Sequence, residues 1–283
     1  MYISTKDWKA YINKLSALNE EAAKKVIRYV QTHGFTDTEA LIRYCHAVVE
    51  KYGAGSAALS AAMYDATAIM QGAAVPSAEL AAVASYGDVA KTVRGTLKTS
   101  SNVEELAGAV SRLVKKAGCD TTLQNAVRDS HSNDLYTTGR KKYGKKKNTG
   151  AQFAWVPMGD TCAFCLALAA NGWQYQTMQG AAEHAEHIHS NCDCTYAVRF
   201  NENSGIEGYD PDAITDQISA DLRAQGMDTD PDDYYHGALN SDVINAVRRQ
   251  NYARNKDEIN AQKRDAYEKR QELNSSKAEE SEV

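Results

Sequence analysis

Long apolar runs and secretion signals are missing from this chain of 283 residues. No apolar stretch approaches the roughly 20 residues that a membrane-spanning helix needs. The first fifteen residues also lack the basic-then-apolar order of a secretory signal. We therefore expect a protein of a reducing cytoplasm that has no membrane contact, a setting in which disulfides are rare.

Complete catalytic motifs are missing as well. The sequence contains no G-x-x-x-x-G-K-[ST] phosphate loop, no H-E-x-x-H metal helix and no G-x-S-x-G nucleophile elbow. These absences favour a protein that is not an enzyme and that has no small-molecule substrate.

Charge is distributed unevenly along the chain. Residues 1–150 carry 21 basic and 14 acidic side chains, a net charge of +7, whereas the remainder carries 11 basic and 23 acidic ones, a net charge of −12. A basic front and an acidic rear predict different partners for the two parts, or contact between them.

The front part, residues 1–138, is predicted to be a helical domain. Apolar residues recur there at three- and four-residue steps, beginning with Trp8, and Gly34 marks the end of the first helix. Further helices are expected over 37–52, 55–71, 77–98, about 101–118 and 121–138. Cys45 and Cys119 are interpreted as core residues.

A basic segment follows over residues 139–150, in which six of the nine residues from Gly139 to Lys147 are Lys or Arg. It is either a solvated linker or a contact to nucleic-acid phosphates, and the two readings are compatible. The candidate contacts are Arg140, Lys141, Lys142, Lys145, Lys146 and Lys147.

The rear part is predicted to contain a small α+β module over residues 151–204 and a charged tail over 205–283. Short extended pieces flank one short helix that Gly172 ends, and Asp210-Pro211 indicates another helix start. The tail is expected to be helical and partly disordered. The expected fold class is therefore mainly α, with a helical domain, a zinc-stapled α+β module and the tail.

Four of the six cysteines lie in this module in two close pairs, which favours a structural zinc site. Cys162 and Cys165 stand at a helix start, and Cys192 and Cys194 follow after 26 residues, with His189 just before them. Our first choice of ligands is Cys162, Cys165, His189 and Cys192. The alternative replaces His189 by Cys194.

Three other interpretations of these residues are weaker. A redox dithiol belongs near a βαβ unit, which is not visible here, and disulfides do not suit a reducing compartment. A catalytic zinc site of the deaminase kind would place its H-x-E before the C-x-x-C, whereas His184 and Glu186 come after it.

A module of about 50 residues buries little apolar surface, so a structural ion would stabilise it.

The succession of a helical half, a basic segment, a C-x-x-C, "NGWQY" and "HSNCDC" resembles the phage minor head, or head-morphogenesis, proteins of the Mu F-like group. Their last motif reads H-P-x-C-R-C, so Ser190 and Asp193 depart from it while both cysteines and the histidine match. The resemblance is specific over about 155–200 and only architectural over 1–150.

This resemblance implies a structural or assembly protein of a phage head, a minor capsid protein bound at the portal vertex through its helical half. Its expected partners are the portal, other head proteins and packaged DNA, bound without sequence preference. It would lie in the virion, in the head interior or at the portal vertex, and in the host cytoplasm during assembly. The alternatives are a zinc-stabilised cytoplasmic nucleic-acid-binding protein and a zinc-dependent hydrolase or deaminase.

Overall fold

A computed structural model describes residues 1–130, 150–157, 163–174 and 195–226, together with seven positions between 249 and 264. The described part is mainly helical. Its elements are β1 (Tyr2–Ile3), α1 (Thr5–His33), α2 (Thr38–Gln71), α3 (Tyr86–Thr99), α4 (Val103–Ser130), β2 (Gln152–Val156), α5 (Ala163–Ala170), β3 (Thr195–Arg199), β4 (Gly205–Ile206) and α6 (Pro211–Arg223).

The first helix begins and ends as its sequence indicates. The Ser4 hydroxyl accepts a hydrogen bond from the Asp7 amide at 3.1 Å, which satisfies one of the free amides of the first turn. Gly34 ends the helix at a φ of 68°, a conformation that side-chain-bearing residues rarely adopt. Gly172 ends α5 in the same way, at a φ of 64°. Both expected stops are confirmed.

Three of the expected helix boundaries are wrong. The pieces expected over 37–52 and 55–71 form one helix, α2, and the pieces expected to meet near Gly118 form one helix, α4. Residues 73–85 are not helical, so the helix expected from residue 77 begins only at Tyr86, where Ser85 and Asp88 form a reciprocal cap.

Helix α4 is the central element of the helical part. Its first half contributes Leu106, Val110 and Val114 to a core with buried residues of α1, α2 and α3. Its second half, from Ala117 to Ser130, is buried at almost every position although many of its residues are polar. A helix that is covered on all sides in this way lies inside the structure. Cys45 and Cys119 are both fully buried, as expected.

Two short strand pairs pack against the N-terminal helix. Strands β2 and β3 pair antiparallel with Val156 opposite Thr195, and β1 pairs parallel with β4. A second core joins Trp8 and Ile12 of α1 to Val156 and Ala197 of the strands. The extended pieces expected around residues 152–156 and 195–199 are confirmed.

The chain divides into two compact units, the first formed by residues 1–161 and 168–211 and the second by residues 162–167 and 212–283. Helix α6, which starts at the expected Asp210-Pro211 step, lies in the second unit except for its first residue and buries Ile218 and Leu222. The boundaries of the predicted module and tail stay predictions. Among the described helices, none is both long and apolar enough to span a membrane.

Candidate functional site

Most of the residues that the sequence singles out lie outside the described residues. This applies to Cys162, His189, Cys192, Cys194 and the basic positions from Arg140 to Lys147. Cys165 is described and is buried on α5. Within the described ranges, no three His, Cys, Asp or Glu side chains come together as a metal site. The mainly helical fold is confirmed, whereas the zinc site stays a prediction.

The structure does show where the cysteine-rich stretch joins the first unit. Val156, at the end of β2, and Thr195, at the start of β3, lie side by side as a register pair. Cys194 directly precedes Thr195 in the chain. The strand pair therefore places the two ends of the segment 157–194 side by side.

That strand pair is anchored to α4 through a buried polar contact. The Thr195 hydroxyl lies 3.8 Å from Cys119 Sγ, and both residues are almost fully buried. Burial raises the pKa of the Cys119 thiol to about 11, so this thiol is protonated and weakly nucleophilic at neutral pH. The contact therefore serves to attach β3 to the helices.

A second buried polar contact joins α1 to α2 in the same region. The Tyr11 hydroxyl lies 3.0 Å from Ser60 Oγ, and burial raises the pKa of Tyr11 well above its usual value. Beside it, Gly118 of α4 packs so closely on α2 that an added Cβ would lie 2.5 Å from Ser56 Oγ. The three long helices thus meet at small residues and hydroxyl groups.

Residues 73–85, which connect α2 to α3 and which we call the strap, are held by side chains of α4. The amide of Glu79 donates to Asn125 Oδ1 at 2.9 Å, and the amide of Ala81 donates to Thr121 Oγ1 at 3.1 Å. Arg128 donates to the carbonyl groups of Pro76 and Ser77 at 2.9 and 3.1 Å. Thr121, Asn125 and Arg128 follow each other at helical spacing, so one face of α4 binds the strap backbone.

The same end of α4 carries a buried carboxylate. Asp129 is 4% exposed and accepts a hydrogen bond of 2.7 Å from the Tyr64 hydroxyl of α2. The Arg128 guanidinium donates to both oxygens of Asp129 at 2.9 Å. A buried charge with these partners is compensated, so the carboxylate fixes the positions of α2, α4 and the strap.

A groove of about 810 Å³ lies between the strap, α3 and α4. Its walls run from Asp88 to Thr99 on α3 and from Ala109 to Asp120 on α4, and strap residues 82–84 close one side. Both walls span eleven helical steps, which corresponds to about 16 Å. The groove is therefore shaped to receive another molecule, and the strap forms part of its wall.

Comparison with known protein families identifies the family of this chain. The VG15 protein family matches residues 2–220. The chain belongs to the VG15 protein family. VG15 is a family of viral gene proteins, and membership indicates a phage protein of unspecified role. No curated protein and no solved structure matches the chain.

The VG15 match covers the helical part, the strands, the basic segment and the cysteine-rich stretch, and it ends within α6. Sequence reasoning missed the groove and the strap-binding face of this VG15 protein. The signal available for them was weak, namely a run of polar residues in the second half of α4 that an exposed helix would also show.

Proposed function

We propose that this VG15 protein is a structural or assembly protein of a phage head, a minor capsid protein of the Mu F-like kind that sits at the portal vertex and performs no catalysis. The observation that carries the proposal is the extent of the VG15 match. It spans in one piece the helical part and the C-x-x-C and H-x-x-C-x-C motifs that resemble the minor head proteins.

The helical part is proposed to dock on the portal and other head proteins. In support, the second half of α4 is mostly buried and contacts the strap, α2 and β3, so this part can present a defined surface. The basic segment from Arg140 to Lys147 is proposed to contact packaged DNA through its phosphates, since clustered lysines attract any nucleic acid irrespective of sequence.

The cysteine-rich stretch is proposed to hold one structural zinc ion. Thiolate and imidazole groups are the donors that tetrahedral zinc prefers, and four cysteines and one histidine are available for four places. Cys162, Cys165 and Cys192 would bind it, with His189 or Cys194 as the fourth ligand. The ion would contribute folding free energy to the stretch between β2 and β3.

Metal analysis of the purified full chain tests the zinc proposal. We expect one zinc ion per chain, which the Cys162→Ser and Cys192→Ser variants should lose together with the protease resistance of the region around residues 155–200. Cys119→Ala is the matched control, because Cys119 is a buried cysteine outside the two pairs and its thiol contacts the Thr195 hydroxyl. This variant should keep the metal. A metal-free wild type with an intact, protease-resistant region would refute the proposal.

Head assembly tests the functional proposal. Heads purified from a phage that carries this gene with an epitope tag should contain the protein in a few copies, and immunogold labelling should place it at the vertex that bears the portal. Absence from purified heads would refute the assignment. Salt-sensitive DNA binding by the protein, with no retention by a portal ring, would instead support a cytoplasmic nucleic-acid-binding protein.

A further inference from the structure

The groove between α3 and α4 is lined in part by apolar side chains. Val83 and Leu113 line it and are only partly buried. Leu80 lies two residues before the groove-lining Ala82 and is 57% exposed, which is unusual for a large aliphatic side chain. Apolar surface rimmed by polar groups is typical of protein-interaction sites.

The groove is lined by three basic and two acidic side chains, which gives it a net charge of +1. Asp88 caps α3, where the Ser85 hydroxyl and amide hold the pKa of its carboxyl below the usual value. Lys116 donates to Asp120 at 2.6 Å. Lys91 and Arg112 are exposed, and neither forms a hydrogen bond or an ion pair with a described residue. Arg112, together with Lys91, whose charge also acts on the Asp88 carboxylate, is therefore left to interact with an incoming partner.

Two of the three threonine hydroxyls that line the groove are not available to a phosphate ligand. Thr96 Oγ1 donates to the Thr92 carbonyl at 3.0 Å, and Thr99 Oγ1 donates to the Thr96 carbonyl at 3.0 Å. These donors are used within α3, so they are not available to phosphate oxygens, which only accept hydrogen bonds. A nucleic-acid backbone would contact only the basic side chains of the groove and would leave its apolar lining without a partner.

We infer that this groove binds a helical segment of a partner protein that carries an apolar stripe flanked by carboxylates. Walls of about 16 Å match three turns of a helix, whose apolar side chains at i, i+3, i+4 and i+7 would lie on Val83 and Leu113. The carboxylates would pair with Lys91 and Arg112, so that charge complementarity selects the partner. The inference rests on the proposed function, because it assigns the docking role of the helical part to one surface.

A fluorescence anisotropy titration tests the groove with a synthetic helical peptide of about 14 residues, in which leucines follow the three- and four-residue spacing and glutamates fill the other face. We expect saturable binding to the full chain. The double variant Lys91→Glu/Arg112→Glu should bind about tenfold more weakly, as expected when two exposed ion pairs become repulsive. A peptide with lysines in place of the glutamates should bind weakly to the wild type.

The matched control is the double variant Lys9→Glu/Lys14→Glu, which makes the same change in net charge at exposed positions of α1. It should bind the peptide as the wild type does. Equal binding by all three proteins, no binding at all, or stronger binding of a DNA oligonucleotide that the Lys91 and Arg112 changes abolish would each overturn the inference.

The outcomes separate this inference from the proposed function. If tagged protein is found in phage heads while the peptide does not bind, the groove assignment fails and the head role stands. If the peptide binds in the groove while the protein is absent from heads, the groove assignment stands and the head role fails.

Discussion

Replacing Gly118 by alanine should destabilise this protein, whereas the same replacement at Gly95 should stabilise it. Both glycines lie inside helices, Gly118 in α4 and Gly95 in α3. At Gly118 the new Cβ would lie 2.5 Å from Ser56 Oγ, 2.8 Å from Ser60 Oγ and 3.2 Å from the Ser56 carbonyl oxygen. At Gly95 it would meet no atom within 4 Å.

The magnitudes follow from two opposing contributions. Alanine favours a helix over glycine by about 1 kcal/mol at either position. Overpacking costs about 1–3 kcal/mol. We take the upper half of that range at Gly118, because the Ser56 carbonyl belongs to the α2 backbone. The Ser60 hydroxyl is also held by Tyr11. Gly118→Ala should therefore lower the free energy of unfolding by about 1–2 kcal/mol, and Gly95→Ala should raise it by about 0.5–1 kcal/mol.

Urea unfolding followed by far-ultraviolet circular dichroism measures both changes, with the slope of the transition compared to confirm that the same surface is exposed. Adding Ser56→Ala removes the nearest atom and should recover part of the loss at Gly118. If Gly118→Ala were as stable as the wild type or more stable, the close approach of α2 and α4 would be refuted.

Two further predictions concern buried hydroxyl and thiol groups. Tyr64→Phe removes the hydrogen bond to the buried Asp129 carboxylate and should lower the free energy of unfolding by about 1.5–3 kcal/mol in the same urea assay. The pKa of Cys119 is raised by burial from 9.0 to about 11, so its contribution to stability is fully present below pH 9 and is lost as the pH rises towards 11. That loss is on the order of 3 kcal/mol, measured as the free energy of unfolding against pH.

Each of these predictions has a matched comparison. Tyr86 also donates to a carboxylate, that of Glu39, but at the surface, so Tyr86→Phe should change the stability by less than about 0.5 kcal/mol. In the Cys119→Ala variant the stability should fall less steeply between pH 9 and 11 than in the wild type. Equal losses for the two tyrosine variants, or identical pH profiles with and without Cys119, would contradict the corresponding reasoning.

Glycine shows why some elements could be predicted and others could not. Gly34 and Gly172 end helices because each adopts a positive φ, which is a local property that the sequence pattern indicates. Gly118 looks like a similar stop, yet α4 continues through it, since its role is to let α2 approach. Gly53 likewise lies inside α2, where an added Cβ would be 2.8 Å from Val83 of the strap. A close approach depends on a partner far along the chain, so the local pattern does not reveal it.

The non-helical conformation of the strap could not be predicted from the local sequence either. Pro76-Ser77 is a reasonable helix start, and the alanines that follow favour a helix. The backbone amides of Glu79 and Ala81 instead donate to Asn125 and Thr121, more than 35 positions away along the chain. Those bonds replace the ones that a helix would have formed, so tertiary contacts overrode the propensity. Residues 82–84 of this non-helical strap close one side of the groove.

The sequence by itself determined the helical character of the front part, the two strands at residues 152–156 and 195–199, and the burial of Cys45 and Cys119. These features depend on the periodicity of apolar residues and on capping, which are properties of neighbouring residues. Only the tertiary structure decided that α4 continues through Gly118, that the strap is not helical, and that the polar half of α4 is buried. Each of these depends on atoms brought together from distant positions, where a hydrogen bond or a close contact outweighs a local preference.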